Sequence, residues 1–228
     1  PLVGLRRLPR SKIERTFLEP AEIPTLLTAA ADVRDSTILA LAVYTGLRRG
    51  ELFGLQWRDV DYADARISVN RSIYQGDVTS PKTAGSIREV DVPESLLVCL
   101  ALYQAMYPSI AEGFVFRTDA GAPLDPDNWS KRSFASVVTR ATAEGIRPIG
   151  LHGLRHTYAS LLINQGEPLK YVSRQLGHAS IQITADLYGH LFRETSTAAM
   201  SRLDARIYAT ATPRGNVVQM QPRTGTRG

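Results

Sequence analysis

The stretch LHGLRHTYAS, residues 151–160, places His152, Arg155 and His156 within five positions of a chain that holds four histidines in all. The glycine-bearing loop EGIRPIG precedes it and an apolar run follows, so it reads as the start of a helix. On that helix His152 and His156, four residues apart, share a face. Two imidazoles and a guanidinium this close suit a metal site, a phosphate site or a structural cluster. Metal suits least. In the zinc motif with this histidine spacing a glutamate follows the first histidine, whereas Gly153 stands here and no Asp or Glu lies nearby. Arg155 would also set a permanent cation beside the ion. A phosphate suits better: guanidinium groups bond its oxygens two at a time and keep their charge, and imidazoles move protons near neutrality.

Composition narrows the setting. At 228 residues, 43% hydrophobic and 21% charged, the chain has ordinary globular usage. No run approaches the roughly 18 apolar residues of a bilayer span; TILALAVYTG and SLLVCLALY read as core helices. The first fifteen residues lack the apolar centre of a secretory signal. The single cysteine, Cys99, sits in an apolar helix and is expected to be a buried core residue in a reducing cytoplasm. A chain beginning at Pro1 is expected to be a piece of a longer one. The net charge is +5, which suggests an anionic partner, but it is carried by the ends. Arg6, Arg7, Arg10, Lys12 and Arg15 against Glu14 give +4, and Arg214, Arg223 and Arg227 give +3, leaving −2 for the middle. Nucleic-acid binding would require cations gathered on one face.

Along the chain, residues 1–16 read as a basic linker. FLEPAEIPTLLTAAAD starts a helix with Leu26, Leu27 and Ala30 on one face; RDSTILALAVYTG is a second, stopped by Gly46; RRGELFGLQW starts a third. The segment ARISVNRSIYQGDVTSPKTAGSIREVDVP alternates polar and apolar residues around turn signals, as in a small antiparallel sheet. Helices follow near Pro93 around Cys99, near Lys131–Thr142, over Gly153–Gln165, Pro168–Leu176 and Ser180–Phe192, and over about Ser196–Ala209, before a polar tail.

Further candidates lie outside the opening stretch. TGLRRGEL puts Arg48 just after a helix-ending glycine, where a short turn can aim it at a ligand. LGHASIQITADLYGH adds His178 and, ten residues on, Tyr188. Each has a plain alternative: Arg at a helix start is commonly solvated, and a tyrosine on an amphipathic helix commonly packs. Arg49, Arg58 and Arg88 read as solvated or surface-paired, Trp57 and Trp129 as core or loop anchors. Lys131, Arg132, Arg140, Arg147, Lys170 and Arg174 could form a face for DNA backbone. No Walker-type nucleotide loop is present.

In order and spacing, TGLRRGEL, SPKTAGSIREVDVP, HGLRHTYAS, LGHASI and DLYGH together resemble the tyrosine recombinases, the phage-integrase family, from about Phe17 to Phe192. The resemblance implies an α+β, mainly α, catalytic-domain fold with a small antiparallel three-stranded sheet. It divides the chain into a linker remnant at 1–16, the catalytic domain at 17–192, and a C-terminal helix and tail at 193–228. It implies Tyr188 as the nucleophile, forming a 3′-phosphotyrosine and a free 5′-hydroxyl without metal or cofactor. Arg48 and Arg155 would hold the non-bridging oxygens. His152 would act as proton acceptor near the tyrosine, His178 would donate to a phosphate oxygen, and Lys82 would protonate the leaving 5′-oxygen. Glu51 would orient its neighbours, and His156 would mainly support packing. Implied partners are duplex attachment sites, further copies forming a tetramer on DNA, and accessory DNA-bending proteins, in a bacterial cytoplasm and not a membrane. A type IB topoisomerase-like enzyme and a catalytically silent DNA-binding module are the alternatives.

Overall fold

A computed structural model describes residues 17–74, 76–79 and 87–210, with only the backbone described at 190, 192–198, 209 and 210. A short helix α1 (Ile23–Thr28) leads to α2 (Val33–Thr45), which Asp32 caps by accepting the Asp35 N–H at 2.7 Å. The run from Thr37 to Val43 is buried all round, so α2 forms the centre of the domain. It packs against α4 (Glu94–Met106) and α7 (Leu151–Asn164). The segment α3 (Arg49–Phe53) turns off the end of α2.

The expected sheet is present. Strands β1 (Val60–Asp61), β2 (Arg66–Val69) and β5 (Arg88–Asp91) form an antiparallel three-stranded sheet in the order β1-β2-β5, with Ile67 opposite Val90. Ile67, Val69 and Val90 enter the core, as strand alternation requires. A separate hairpin, β3 (Ser72–Tyr74) with β4 (Asp77–Thr79), precedes β5.

The helices after the sheet differ in detail from their expected bounds. The one expected near Lys131–Thr142 is α5 (Pro126–Trp129), one π turn (Ser130–Phe134) and α6 (Ala135–Ala143) in succession. Then come α7, α8 (Leu169–Leu176) and α9 (Ile181–Tyr188). The last helix, α10, spans Phe192–Thr210, longer than expected, so the division expected at 192 falls on its first residue. Cys99 is only half-buried, with its sulfur 3.8 Å from the Thr37 hydroxyl, which corrects its expected core placement. α4 is apolar nearly all round, and its buried face runs through Leu96, Leu100 and Tyr103, leaving Cys99 on the flank. Trp57 and Trp129 are buried as expected.

The main core joins α2, the sheet, α4 and α6. A second apolar cluster (Tyr158, Ala159, Ile163, Val172, Leu176, Tyr188 and Leu191) lies where α7, α8 and α9 meet. Every candidate group in the described part of the site stands on elements that border this cluster or the end of α2.

Candidate active site

The C-terminal end of α8 organises the site. Gly177 stops the helix with φ +64°; its N–H bonds the Arg174 carbonyl at 3.0 Å and the His178 N–H bonds the Ser173 carbonyl at 3.1 Å. This leaves the final carbonyls free to accept elsewhere, at the end of the helix where the macrodipole is negative. Three arginines use them. Arg88 Nε donates to Gln175 O at 2.8 Å, Arg155 Nη2 to Leu176 O at 2.5 Å, and Arg48 Nη2 to Gly177 O at 3.0 Å.

Each arginine is held a second time. Arg155, on α7 and 3% exposed, also donates through Nη1 to Gly46 O at 2.7 Å, tying the end of α2 to the end of α8. Gly46 takes φ +59°, and a Cβ there would lie 2.5 Å from the Tyr158 ring, so only glycine lets α2 end this close to α7. Burial, then the Arg48 cation, push Arg155 down to about 9, which leaves it protonated at neutral pH.

Arg48 precedes α3 in extended conformation, and Glu51 reaches back to accept its backbone N–H and its Nη1, both at 2.8 Å. The other partner of Glu51 is Arg88, through Nη1–Oε1 at 3.0 Å and Nη2–Oε2 at 2.9 Å. Burial alone would raise the Glu51 carboxyl. Arg88 and then Arg48 outweigh that and hold it below the ordinary carboxylate value. Arg88 therefore departs from the solvated or surface-paired reading. It is 8% exposed and forms a buried two-pronged pair. Its strand had a signal for this, since Arg88 shares a sheet face with Val90, which is fully buried.

His178 follows Gly177, with Nδ1 2.8 Å from the hydroxyl of buried Thr184 on α9. Partial burial, then the cations of Arg155, Arg48 and Arg88, push its pKa down to about 4, so it is neutral at working pH. Tyr188 ends α9. It is 3% exposed, and its hydroxyl lies 2.6 Å from His156 Nδ1. His156 was expected mainly to support packing; it is buried, as packing requires, but it also bonds the candidate nucleophile. His152 is exposed, its ring edge-to-face with His156 at a centroid distance of 4.7 Å.

Arg48, Glu51, His152, Arg155, His156, His178 and Tyr188 are thus brought together. Lys82 lies outside the described residues. Lys131, Arg132, Arg140, Arg147, Lys170 and Arg174 are all exposed, but three are engaged by their own domain. Arg140 bonds Ala29 O, Arg147 bonds Phe17 O, and Arg174 lies 3.5 Å from Asp91. Arg49 pairs with Asp127 on the surface. Among the described residues there is no group of three or more His, Cys, Asp or Glu able to hold a metal, and no helix long and apolar enough to cross a membrane.

Such a site offers fixed cations to an anion beside a hydroxyl bonded to an imidazole. Known proteins are similar to the chain in sequence. The chain is 34% identical over 224 residues to a tyrosine recombinase XerC-like protein of Caldanaerobacter subterraneus, covering 86% of this chain and 56% of the relative. It is 30% identical over 214 residues to the ICEBs1 integrase of Bacillus subtilis, covering 90% and 58%. It therefore spans little more than half the length of these relatives. In fold it resembles the XerA recombinase (TM-score 0.65, 25% identity, 81% of this chain and 65% of that one). It also resembles the Tn1549 transposon integrase solved with circular intermediate DNA (TM-score 0.69, 24% identity, 83% and 67%). The Phage integrase family model matches residues 16–195, most of the chain, and the chain belongs to that family.

Proposed function

We propose that the protein is a site-specific DNA recombinase of the integrase type, breaking and rejoining duplex DNA through a 3′-phosphotyrosine. The observation that carries this is the convergence of Arg48, Arg155 and His178 on the end of α8, next to Tyr188 at the end of α9. A nucleophile alone does not cut a phosphodiester at neutral pH; the charge growing on the non-bridging oxygens needs preplaced donors. Arg48 and Arg155 meet that need. His178, being neutral, contributes a hydrogen bond and not a charge.

The Tyr188 oxygen attacks phosphorus, the 5′-oxygen leaves, and the phosphoester bond energy is kept in the protein–DNA link. Attack by a different strand's 5′-hydroxyl reverses the step and completes exchange, with Lys82 as the proton donor to the leaving oxygen. The names of the ICEBs1 integrase and the Tn1549 transposon integrase favour a mobile-element integrase; the proposal extends to a tetramer acting on paired attachment sites with accessory DNA-bending proteins in a bacterial cytoplasm. The test is incubation of the full-length protein with a nicked duplex, followed by a denaturing gel. Protein covalently joined to DNA, lost in Tyr188→Phe while DNA binding persists, is the expected result. A phosphotyrosyl peptide mapping to another tyrosine refutes the assignment of Tyr188.

A further inference from the structure

The Tyr188 proton needs a destination when its oxygen attacks phosphorus. The family resemblance points to His152 for that purpose, but His152 is exposed at the protein surface. The hydroxyl is bonded at 2.6 Å to His156 Nδ1, within the reach a general base requires. On the reading that Tyr188 is the nucleophile, we propose that His156 is a catalytic residue, the base that takes the tyrosine proton as attack begins.

Three features of the geometry favour this. His156 and Tyr188 are 9% and 3% exposed, so bulk water does not compete for the proton. His156 follows Arg155, whose guanidinium is bonded to the carbonyls of both Gly46 and Leu176. The turn of α7 that carries the imidazole is therefore fixed relative to the group proposed to hold the phosphate. Outside it, the His152 ring meets His156 edge-on at 83°, restraining its orientation from the solvent side. His152 is in this view a positioning residue.

The step balances. The Tyr188 O–H bond breaks and its proton passes to Nδ1, which requires the neutral ring to carry its hydrogen on Nε2. The Oη–P bond forms, the P–O5′ bond breaks, and the 5′-oxygen takes its proton from the acid proposed above. On rejoining, the imidazolium returns the proton to the tyrosine oxygen. The phosphodiester charge brought by DNA favours the imidazolium that forms. The base is thus most effective once substrate is seated.

The experiment measures single-turnover cleavage of a nicked duplex by the full-length protein, beside a DNA-binding titration and a thermal melt. Asn places Oδ1 near the position of Nδ1, keeping a hydrogen bond to Tyr188 but offering no base. His156→Asn should cut about 10²–10⁴ times more slowly with DNA affinity unchanged. His156→Ala should be as slow and should recover with added imidazole, whereas His152→Asn should lose far less. Near-normal cutting by His156→Asn would show that the bond merely holds the tyrosine in place and overturns the proposal. Faster cutting would show a restraint on a stored nucleophile and also overturns it. Equal or greater loss in His152→Asn, without loss in His156→Asn, returns the role to His152. Should Ala fail to fold, Asn still decides. Absence of any Tyr188 adduct in the unmodified protein instead sinks the recombinase reading itself.

Discussion

Arg88→Met tests the reading of the buried pair. Methionine fills much of the space of the arginine stem but leaves unmade the hydrogen bonds to Glu51 at 2.9 and 3.0 Å and to Gln175 O at 2.8 Å. The Glu51 side chain is 7% exposed, so its charge cannot turn to water. Removing one partner of a buried ion pair costs about 3–5 kcal/mol. Arg48 keeps its own two bonds to Glu51, so the expectation is the lower end, about 3 kcal/mol, a large share of the roughly 5–15 kcal/mol of a typical domain. Urea unfolding at neutral pH measures it.

The pH dependence checks the cause. In the unmodified protein the Glu51 carboxyl is depressed, so its contribution is present above the ordinary carboxylate pKa and is lost as pH falls through the folded value. Without Arg88 burial prevails and the carboxyl is raised, so the variant regains stability as acid neutralises it. The deficit of Arg88→Met should therefore shrink on going from about pH 7 to about pH 4. The double variant Arg88→Met with Glu51→Leu should recover much of the stability, because no buried charge is left unpaired. It should still cut slowly, since Arg48 has lost the carboxylate that aims it. A deficit below about 1 kcal/mol, or one independent of pH, would mean that the pair is solvated and the structural reading wrong.

Three more outcomes follow from the site. His178 should stay neutral on titration down to about pH 4, so its ring protons should not shift through pH 6.5 in NMR spectra; an ordinary titration refutes the placement among three cations. Gly177→Ala forces a side chain into the left-handed region, at about 1–2 kcal/mol, and sets its Cβ 2.8–2.9 Å from the Arg88 guanidinium. It should lower both the melting temperature and cleavage, and unchanged cleavage counts against the α8 terminus as organiser. Lys82→Ala should cut ordinary DNA about 10²–10⁴ times more slowly yet nearly normally where sulfur replaces the bridging 5′-oxygen, because a thiolate leaves unprotonated. Equal impairment on both substrates would give Lys82 a binding role instead.

Much of the site was legible because its chemistry is written in local spacing. Arg48 beside a helix-ending glycine, His152 and Arg155 on one turn, and His178 ten residues before Tyr188 can be picked out without knowing how the chain folds. What escaped was long-range. Arg88 meets Glu51 across 37 residues and Gln175 across 87, and taken by itself a strand arginine reads as solvated. Alternation with Val90 carried the clue, since a residue on the buried face of a strand needs a buried partner. The bond from His156 to the tyrosine hydroxyl escaped for a similar reason. Tyr188 arrives from a different helix 32 positions later. The start of α10 at Phe192 was missed because helix propensity sets no sharp boundary without a capping residue.

The balance of charge in this cluster bears on how it would catalyse. Among the described residues, Arg48, Arg88 and Arg155 face one carboxylate, Glu51, together with the partial negative charge at the end of α8. One carboxylate does not neutralise three guanidiniums, and Arg155 and His178 are both lowered by burial first and then by the neighbouring arginines. Glu51 is shared between Arg88 and Arg48, so Arg88 takes much of its charge and Arg48, half-exposed, keeps the less compensated position. A bound phosphodiester would relieve the repulsion by one negative charge. The pentacoordinate transition state, with more charge on its non-bridging oxygens, would relieve it further. Only interactions that strengthen toward the transition state accelerate a reaction. An under-neutralised arginine cluster, fixed by three backbone carbonyls and one shared carboxylate, would meet that condition: its donors are in place before substrate arrives, and its charge would be satisfied only as the reaction proceeds.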